Sequence, residues 1–151
     1  MKTKQLDKID EEILRELNHN CRRSFRELSK AIGLSPASII ERVKKLENYK
    51  IILGYGAKID FYELGYDFMG LIQVDITKGA LLSVQEKIAK LPGVAAVYDV
   101  TGEYDSAVVV LCKSRVEMSA LIKKINKIPE VRKTNTNMIL NVVKRMNEFE
   151  I

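Results

Sequence analysis

The feature that most constrains the fold is an internal repeat. "EKIAKLPGV" (86–94) matches "KKINKIPEV" (123–131) at an offset of 37 residues, which aligns Ile88 with Ile125, Lys90 with Lys127, Pro92 with Pro129 and Val94 with Val131. Each copy follows a strand-like run, "GLIQVDIT" (70–77) or "SAVVVLCK" (106–113), and precedes another, "VAAVYDVT" (94–101) or "VRKTNTNMILNVV" (131–143). The order is β-α-β, then β-α-β again. Two such units in one sheet make a ferredoxin-like βαββαβ domain. Each proline sits just after its helix, where it stops propagation. Two helices can cover one face of such a sheet, so the other face needs a partner, and a second copy of the chain would supply it.

The repeat leaves the N-terminal third of the chain to be explained. A chain of 151 residues can bury one good core or two small ones. Residues 1–58 hold 13 Lys and Arg against 8 Asp and Glu, whereas residues 59–151 hold 12 of each. The net charge of +5 therefore lies wholly in the first segment, and the two parts are expected to meet different partners. The N-terminus alternates charges where a signal peptide needs an apolar run, and no stretch approaches a membrane span. Cys21 and Cys112 lie far apart without metal-ligand spacing, and read as reduced thiols of a cytoplasmic protein.

The basic segment reads as three helices. Leu6, Ile9, Ile13, Leu14 and Leu17 recur at helical spacing, with Asp7 and Asp10 suited to an N-terminal turn. "SFRELSKAI" opens on Ser24 with Glu27 three residues on, a capping box, and buries Leu28 and Ile32. Gly33 ends this helix, Ser35 caps the next, and Pro36 fits its first position. Two short helices joined by so brief a turn cross steeply, as in a helix-turn-helix.

At roughly 100° per residue, Ile39, Val43 and Leu46 of the third helix face the core. Ala37, Glu41, Lys44 and Asn48 fall opposite, Ile40 and Lys45 on the flanks, and Ser38 and Arg42 at the margins. Ile40 could touch a thymine methyl and Glu41 accept from a cytosine amine. Arg22, Arg23 and Arg26 lie near the expected phosphate path. The DNA-facing set is thus Arg22, Arg23, Arg26, Ser35, Ala37, Ser38, Ile40, Glu41, Arg42, Lys44 and Lys45, with the cations on phosphate and Ala37, Ser38, Ile40 and Glu41 on base edges. A solvated cationic face is the alternative. Residues 51–66 read as a short strand and connector.

"TGEYDSA" (101–107) places Glu103 and Asp105 on one short loop with Tyr104 between them and Gly102 at the turn. A polar hairpin turn and a small-ligand loop are both open readings; in the second, a carboxylate meets a ligand ammonium. In "TNTN" (134–137), Thr134 and Thr136 share one face and Asn135 and Asn137 the other, which also suits a plain solvent-facing edge.

Taken in order, "LDKIDEEILREL", "CRRSFRELSKAIGLS", "SIIERVKKLE", "IILGYGAKID", "GEYD" and "IPEVRKTNTNMIL" resemble the Lrp/AsnC family of transcription regulators, or feast/famine regulatory proteins, over nearly the whole chain. The resemblance implies an α+β protein with three parts. These are a helix-turn-helix DNA-binding domain (1–52), a connecting strand (53–66), and a ferredoxin-like effector-binding and oligomerisation domain (67–151). It implies dimers that assemble further, often to octamers, and no cofactor. It also implies an amino-acid effector bound between dimers near Gly102, Glu103, Tyr104 and Asp105, with Thr134 and Thr136 nearby. Glu103 stands where the family more often has Asp, Ser106 where an apolar residue is common, and Ser29 where a small Ala is usual. Sirohaem decarboxylases resemble the same architecture, and a DNA-compacting protein without a ligand is a third reading. The one histidine, His19, ends the first helix, away from the region where a haem-like substrate would need ligands.

Overall fold

The computed structural model describes residues 5–145 and residue 149. The outermost residues of the expected first and last domains (1–4, 146–148, 150 and 151) lie outside the described residues. Contacts divide the chain into two units. One runs up to Lys58 and takes in the last stretch from Lys144; the other is Ile59–Val143. The expected boundaries put that last stretch with the second domain. Its described part instead returns to the first unit, where the Asn18 side-chain amide donates to the Phe149 carbonyl at 2.8 Å.

The first unit holds helices α1 (Lys8–His19), α2 (Phe25–Ile32) and α3 (Pro36–Asn48). All three begin on side-chain caps. In α1 the Asp7 carboxylate accepts from the Asp10 N–H at 2.8 Å, and Asp10 reaches back to the Asp7 N–H at 3.4 Å. Ser24 and Glu27 make the same reciprocal pair at the start of α2. The Ser35 hydroxyl accepts from the Ser38 N–H at 3.2 Å, with Pro36 in the first turn of α3. These caps satisfy donors that a helix start otherwise leaves unpaired. Gly33 ends α2 at φ 79°, and the Ser29 hydroxyl donates to the Leu34 carbonyl, which braces the turn. Ile13, Leu14, Leu17, Leu28, Ile39, Val43 and Leu46 form the core.

The end of α3 was not legible. The Ile51 N–H donates to the Leu46 carbonyl at 3.0 Å and the Lys50 N–H to the Glu47 carbonyl at 2.9 Å, with Ile51 packed on the core. That is a Schellman motif, and Lys50 occupies its left-handed position at φ 57°, where glycine is usual. The expected strand in 51–66 is also absent. Residues 53–60 have no regular structure, and the contact to their backbone runs from a side chain, the Cys21 thiol donating to the Gly56 carbonyl at 3.5 Å. Leu53, Tyr55, Ile59 and Phe61 alternate along this segment and are exposed.

The second unit matches the repeat. It contains β1 (Phe68–Ile76), α4 (Leu81–Ala89), β2 (Val94–Asp99), β3 (Ser106–Cys112), α5 (Arg115–Asn126) and β4 (Val131–Ile139). The sheet is antiparallel in the order β2-β3-β1-β4, the ferredoxin-like arrangement. Ile72, Val74, Ile76, Val108, Val110 and Cys112 point to one face and are buried under Val84, Ile88, Met118, Leu121 and Ile125 of the helices. Met69, Leu71, Val109 and Leu111 alternate to the other face and are only half-buried, because neither helix covers them.

The two copies of the repeat differ where geometry demands it. Gly93 sits at φ 89°, and a Cβ there would lie 3.1 Å from the Leu111 carbonyl and 3.3 Å from a Leu121 methyl. Its counterpart Glu130 lies outside the left-handed region. Gly93→Ala should therefore destabilise the protein by about 2 kcal/mol or more, through strain and overpacking together. Lys50→Gly should stabilise it by about 1 kcal/mol, since only backbone strain is relieved. Denaturant melts of the two variants would test the pair, and a neutral Gly93→Ala would contradict the close approach.

Candidate nucleic-acid interface

The rotation of α3 is as its sequence requires. Ile39, Val43 and Leu46 are fully buried. Ala37, Glu41, Lys44 and Asn48 are exposed opposite them, and Ser38 and Ile40 are half-buried at the margins. Ser35, at the cap, is exposed and shares a 2.9 Å hydrogen bond with the Ser38 hydroxyl. Of the candidate base-reading residues, Ala37 and Glu41 are thus open, and Ser38 and Ile40 flank them half-buried.

The cations divide into two groups. Arg42 Nη1 donates to the Asp7 carboxylate at 2.7 and 2.9 Å and to Asp10 Oδ1 at 2.7 Å. Lys45 Nζ donates to Asp10 Oδ2 at 2.8 Å and lies 5.8 Å from the Tyr49 ring centroid. Arg23 pairs with Glu16 of α1. Arg22, Arg26 and Lys44 are exposed and make no side-chain ion pair among the described residues. Of six cations expected at phosphate, three are therefore engaged within the fold and three are open.

Asp10 is the residue that sequence reasoning missed. Its side chain is 0% exposed, against 27% for Arg42 and 37% for Lys45. A carboxylate at the first turn of a helix suits the dipole, and that is all the one-dimensional pattern offers. The i, i+3 spacing of Asp7 and Asp10 does put both on one side of α1, but only the fold shows that α3 lies against that side.

In the second unit, the hairpin between β2 and β3 carries the candidate effector residues. Gly102, at φ 125°, and Glu103 are exposed, Tyr104 is buried, and Asp105 is half-buried. Asp105 braces the loop: its carboxylate accepts from the Ile76 N–H at 2.7 Å, and its own N–H donates to the Val74 carbonyl at 3.0 Å. The buried Ser106 hydroxyl accepts from the Gln85 amide at 2.7 Å. Glu103 pairs with Lys133 at 3.0 Å, and the same ammonium lies 5.1 Å from the Tyr104 ring centroid. The Glu103 carboxylate and the Tyr104 hydroxyl together hold the Lys133 ammonium above its ordinary range.

The threonines point elsewhere. Thr134 and Thr136 pair in register with Val74 and Ile72, which places them on the helix-covered face. Thr134 donates to Asn126 of α5 at 2.8 Å. Asn135 and Asn137 share the open face with Gln73, whose carbonyl accepts from their amides at 3.0 and 3.4 Å. The loop is joined to β4 by Lys133, and within one chain the threonine hydroxyls and the Glu103 carboxylate do not converge.

Residues 6–47 match the AsnC-type helix-turn-helix domain, and residues 70–149 match the Lrp/AsnC ligand binding domain. The chain belongs to the Lrp/AsnC family of transcriptional regulators. An uncharacterised HTH-type transcriptional regulator of Pyrococcus abyssi is 36% identical over 139 residues, which cover 92% of this chain and 95% of the relative. E. coli AsnC superposes with a TM-score of 0.87 at 30% identity, covering 95% of this chain and 99% of that one. A Neisseria meningitidis transcriptional regulator, solved as a complex with L-Met, superposes with a TM-score of 0.87 at 26% identity, covering 93% and 94%. This Lrp/AsnC protein is therefore a transcriptional regulator with a DNA-binding helix-turn-helix and a ligand-binding domain. None of its described helices is long and apolar enough to cross a membrane.

The Asp7–Asp10–Arg42–Lys45 cluster predicts an acid limit for the regulator's first unit. Hydrogen bonding from Arg42 holds the Asp7 carboxyl below the usual carboxylate range. Burial pushes Asp10 up, but hydrogen bonds from Lys45 and Arg42 more than reverse this and leave it lowered as well. Carboxylates depressed in the folded state stabilise it above their unfolded values, and that contribution is lost as pH falls through the lower folded values. Thermal stability should hold from neutral pH down to about 4 and fall below it. Asp10→Asn should lower the melting temperature at neutral pH and flatten the acid limb. Circular dichroism melts across pH would check this, and an unchanged acid limb would contradict the assignment.

Proposed function

We propose that this regulator is a cytoplasmic, sequence-specific DNA-binding protein that works as a two-fold dimer and responds to an amino acid. The single observation that carries the DNA reading is the open face of α3. Ala37, Ser38, Ile40 and Glu41 are presented there for base edges, with Lys44 beside them and Arg22 and Arg26 free near the start of α2. A single reading helix covers only a few base pairs, so paired copies on half-sites about 10 base pairs or a multiple apart supply the affinity.

The half-buried apolar face of the sheet supports pairing, because Met69, Leu71, Val109 and Leu111 are aligned on it and no helix reaches them. The irregular connector, with Leu53, Tyr55, Ile59 and Phe61 exposed in alternation, is a second surface suited to a partner copy. The neighbour solved with L-Met supports an amino acid as effector. In a single chain the Gly102–Asp105 loop and the Thr134–Thr136 pair lie on different faces, which favours an effector held between copies and an assembly of dimers, such as an octamer. An effector that prefers one assembly shifts the protein toward it.

Selection of bound fragments from random DNA, with and without each common amino acid, tests the reading directly. It should return a two-fold-related motif whose occupancy changes with one class of amino acid. With three open cations in each of two copies, binding should weaken with salt at a log–log slope of about −5, from roughly −0.9 per phosphate. A slope near zero would remove the phosphate assignments. Leu71→Lys with Val109→Lys should convert the protein to a monomer in sedimentation and abolish recognition of paired half-sites while leaving the helices folded. An intact dimer would show that another surface pairs the copies.

A further inference from the structure

We propose that Asp10 limits the sequence-independent part of DNA binding by holding Arg42 and Lys45 out of the set of cations that reach phosphate. The inference rests on the reading of α3 as the DNA-facing helix and divides its charge into two groups. Arg42 and Lys45 lie three residues apart on one flank of α3, and both close on the same buried carboxylate, at 2.7 and 2.8 Å. Asp7 adds a second carboxylate to Arg42. The two carboxylates that cap α1 thus also clamp the flank of the reading helix, a role that solvated surface pairs do not have.

Burial decides which partner the cations keep. Moving Arg42 and Lys45 to phosphate would leave Asp10, 0% exposed, as an uncompensated charge inside the unit. Stripping a buried ion of its partner costs far more than one exposed phosphate contact returns. Lys44, one residue from Lys45, has no such partner among the described residues and faces solvent. Adjacent lysines on one helix therefore do different things: Lys44 is available to DNA, and Lys45 is a positioning residue bound to Asp10. Keeping long cationic side chains off phosphate matters for a reader of sequence, because phosphate attraction strengthens binding to every sequence.

The test is the salt dependence of full-length protein binding a random-sequence duplex, followed by fluorescence anisotropy. Methionine preserves the packing of each lysine stem while removing its charge. Lys44→Met should flatten the slope by about 0.9 per subunit, whereas Lys45→Met should leave it unchanged and lower the melting temperature. Asp10→Asn should steepen the slope by about 0.9 for each cation released and raise affinity for random DNA relative to a selected site. A Lys45→Met slope as flat as that of Lys44→Met would overturn the proposal, as would a folded Asp10→Asn protein with the wild-type slope. If Asp10→Asn does not fold, the lysine pair decides alone. A wild-type slope near zero would instead remove the DNA-facing reading beneath it.

Discussion

A carboxylate with no access to water must be paired, and in this protein the pairing of Asp10 fixes how the helix-turn-helix is assembled. Arg42 and Lys45 reach it from α3, while its backbone and that of Asp7 belong to the capping box of α1. The start of one helix and the flank of another are thereby tied through a single group. The apolar core below, from Ile13 to Leu46, supplies the driving force and sets the rotation of α3 through Ile39, Val43 and Leu46. The ion cluster holds the flank of the helix in that rotation, which leaves Ala37, Glu41 and Lys44 open.

The second unit depends on a different constraint, the alternation of its strands. Every second residue of β1 and β3 is buried under α4 and α5, and the residues between them form a second face that neither of these helices covers. That face is not uniformly apolar. Gln73 with Asn135 and Asn137 forms an amide cluster toward the β1–β4 side, beside Leu71 and Met69. Amides buried without partners are costly, so whatever covers this cluster has to offer matching donors and acceptors. A face that combines apolar area with an amide cluster discriminates among partners better than a purely apolar one.

Much of this was legible in one dimension, for identifiable reasons. The 37-residue repeat fixed the order of strands and helices because each copy carries its own stop signal, Pro92 or Pro129. Ser24 with Glu27, Gly33 and Ser35 with Pro36 set the boundaries of α2 and the start of α3, since capping is local chemistry. The buried rotation of α3 followed from the spacing of Ile39, Val43 and Leu46. What could not be read was every feature made by contacts distant in sequence. Arg42 and Lys45 carry the signature of phosphate ligands, and only the packing of α1 against α3, more than 30 residues apart in sequence, reveals their carboxylates. Lys133 offered no signal of its pairing with Glu103. Lys50 escaped because a left-handed lysine has no local mark, and the alternation of the connector reads as a strand although the described residues form none there.

Asp105 is committed to the Ile76 amide, and Glu103 and Tyr104 to Lys133, so the loop is already satisfied internally on one side of the sheet. A ligand ammonium that takes Glu103 must displace Lys133, which then needs a new anion; a carboxylate on the same ligand could provide it. An exchange of partners costs less than filling a site of isolated charges, because no group is left unpaired on either side of the equilibrium. The free energy available for coupling is then the difference between two satisfied arrangements. A modest difference of that kind can shift an equilibrium without locking it.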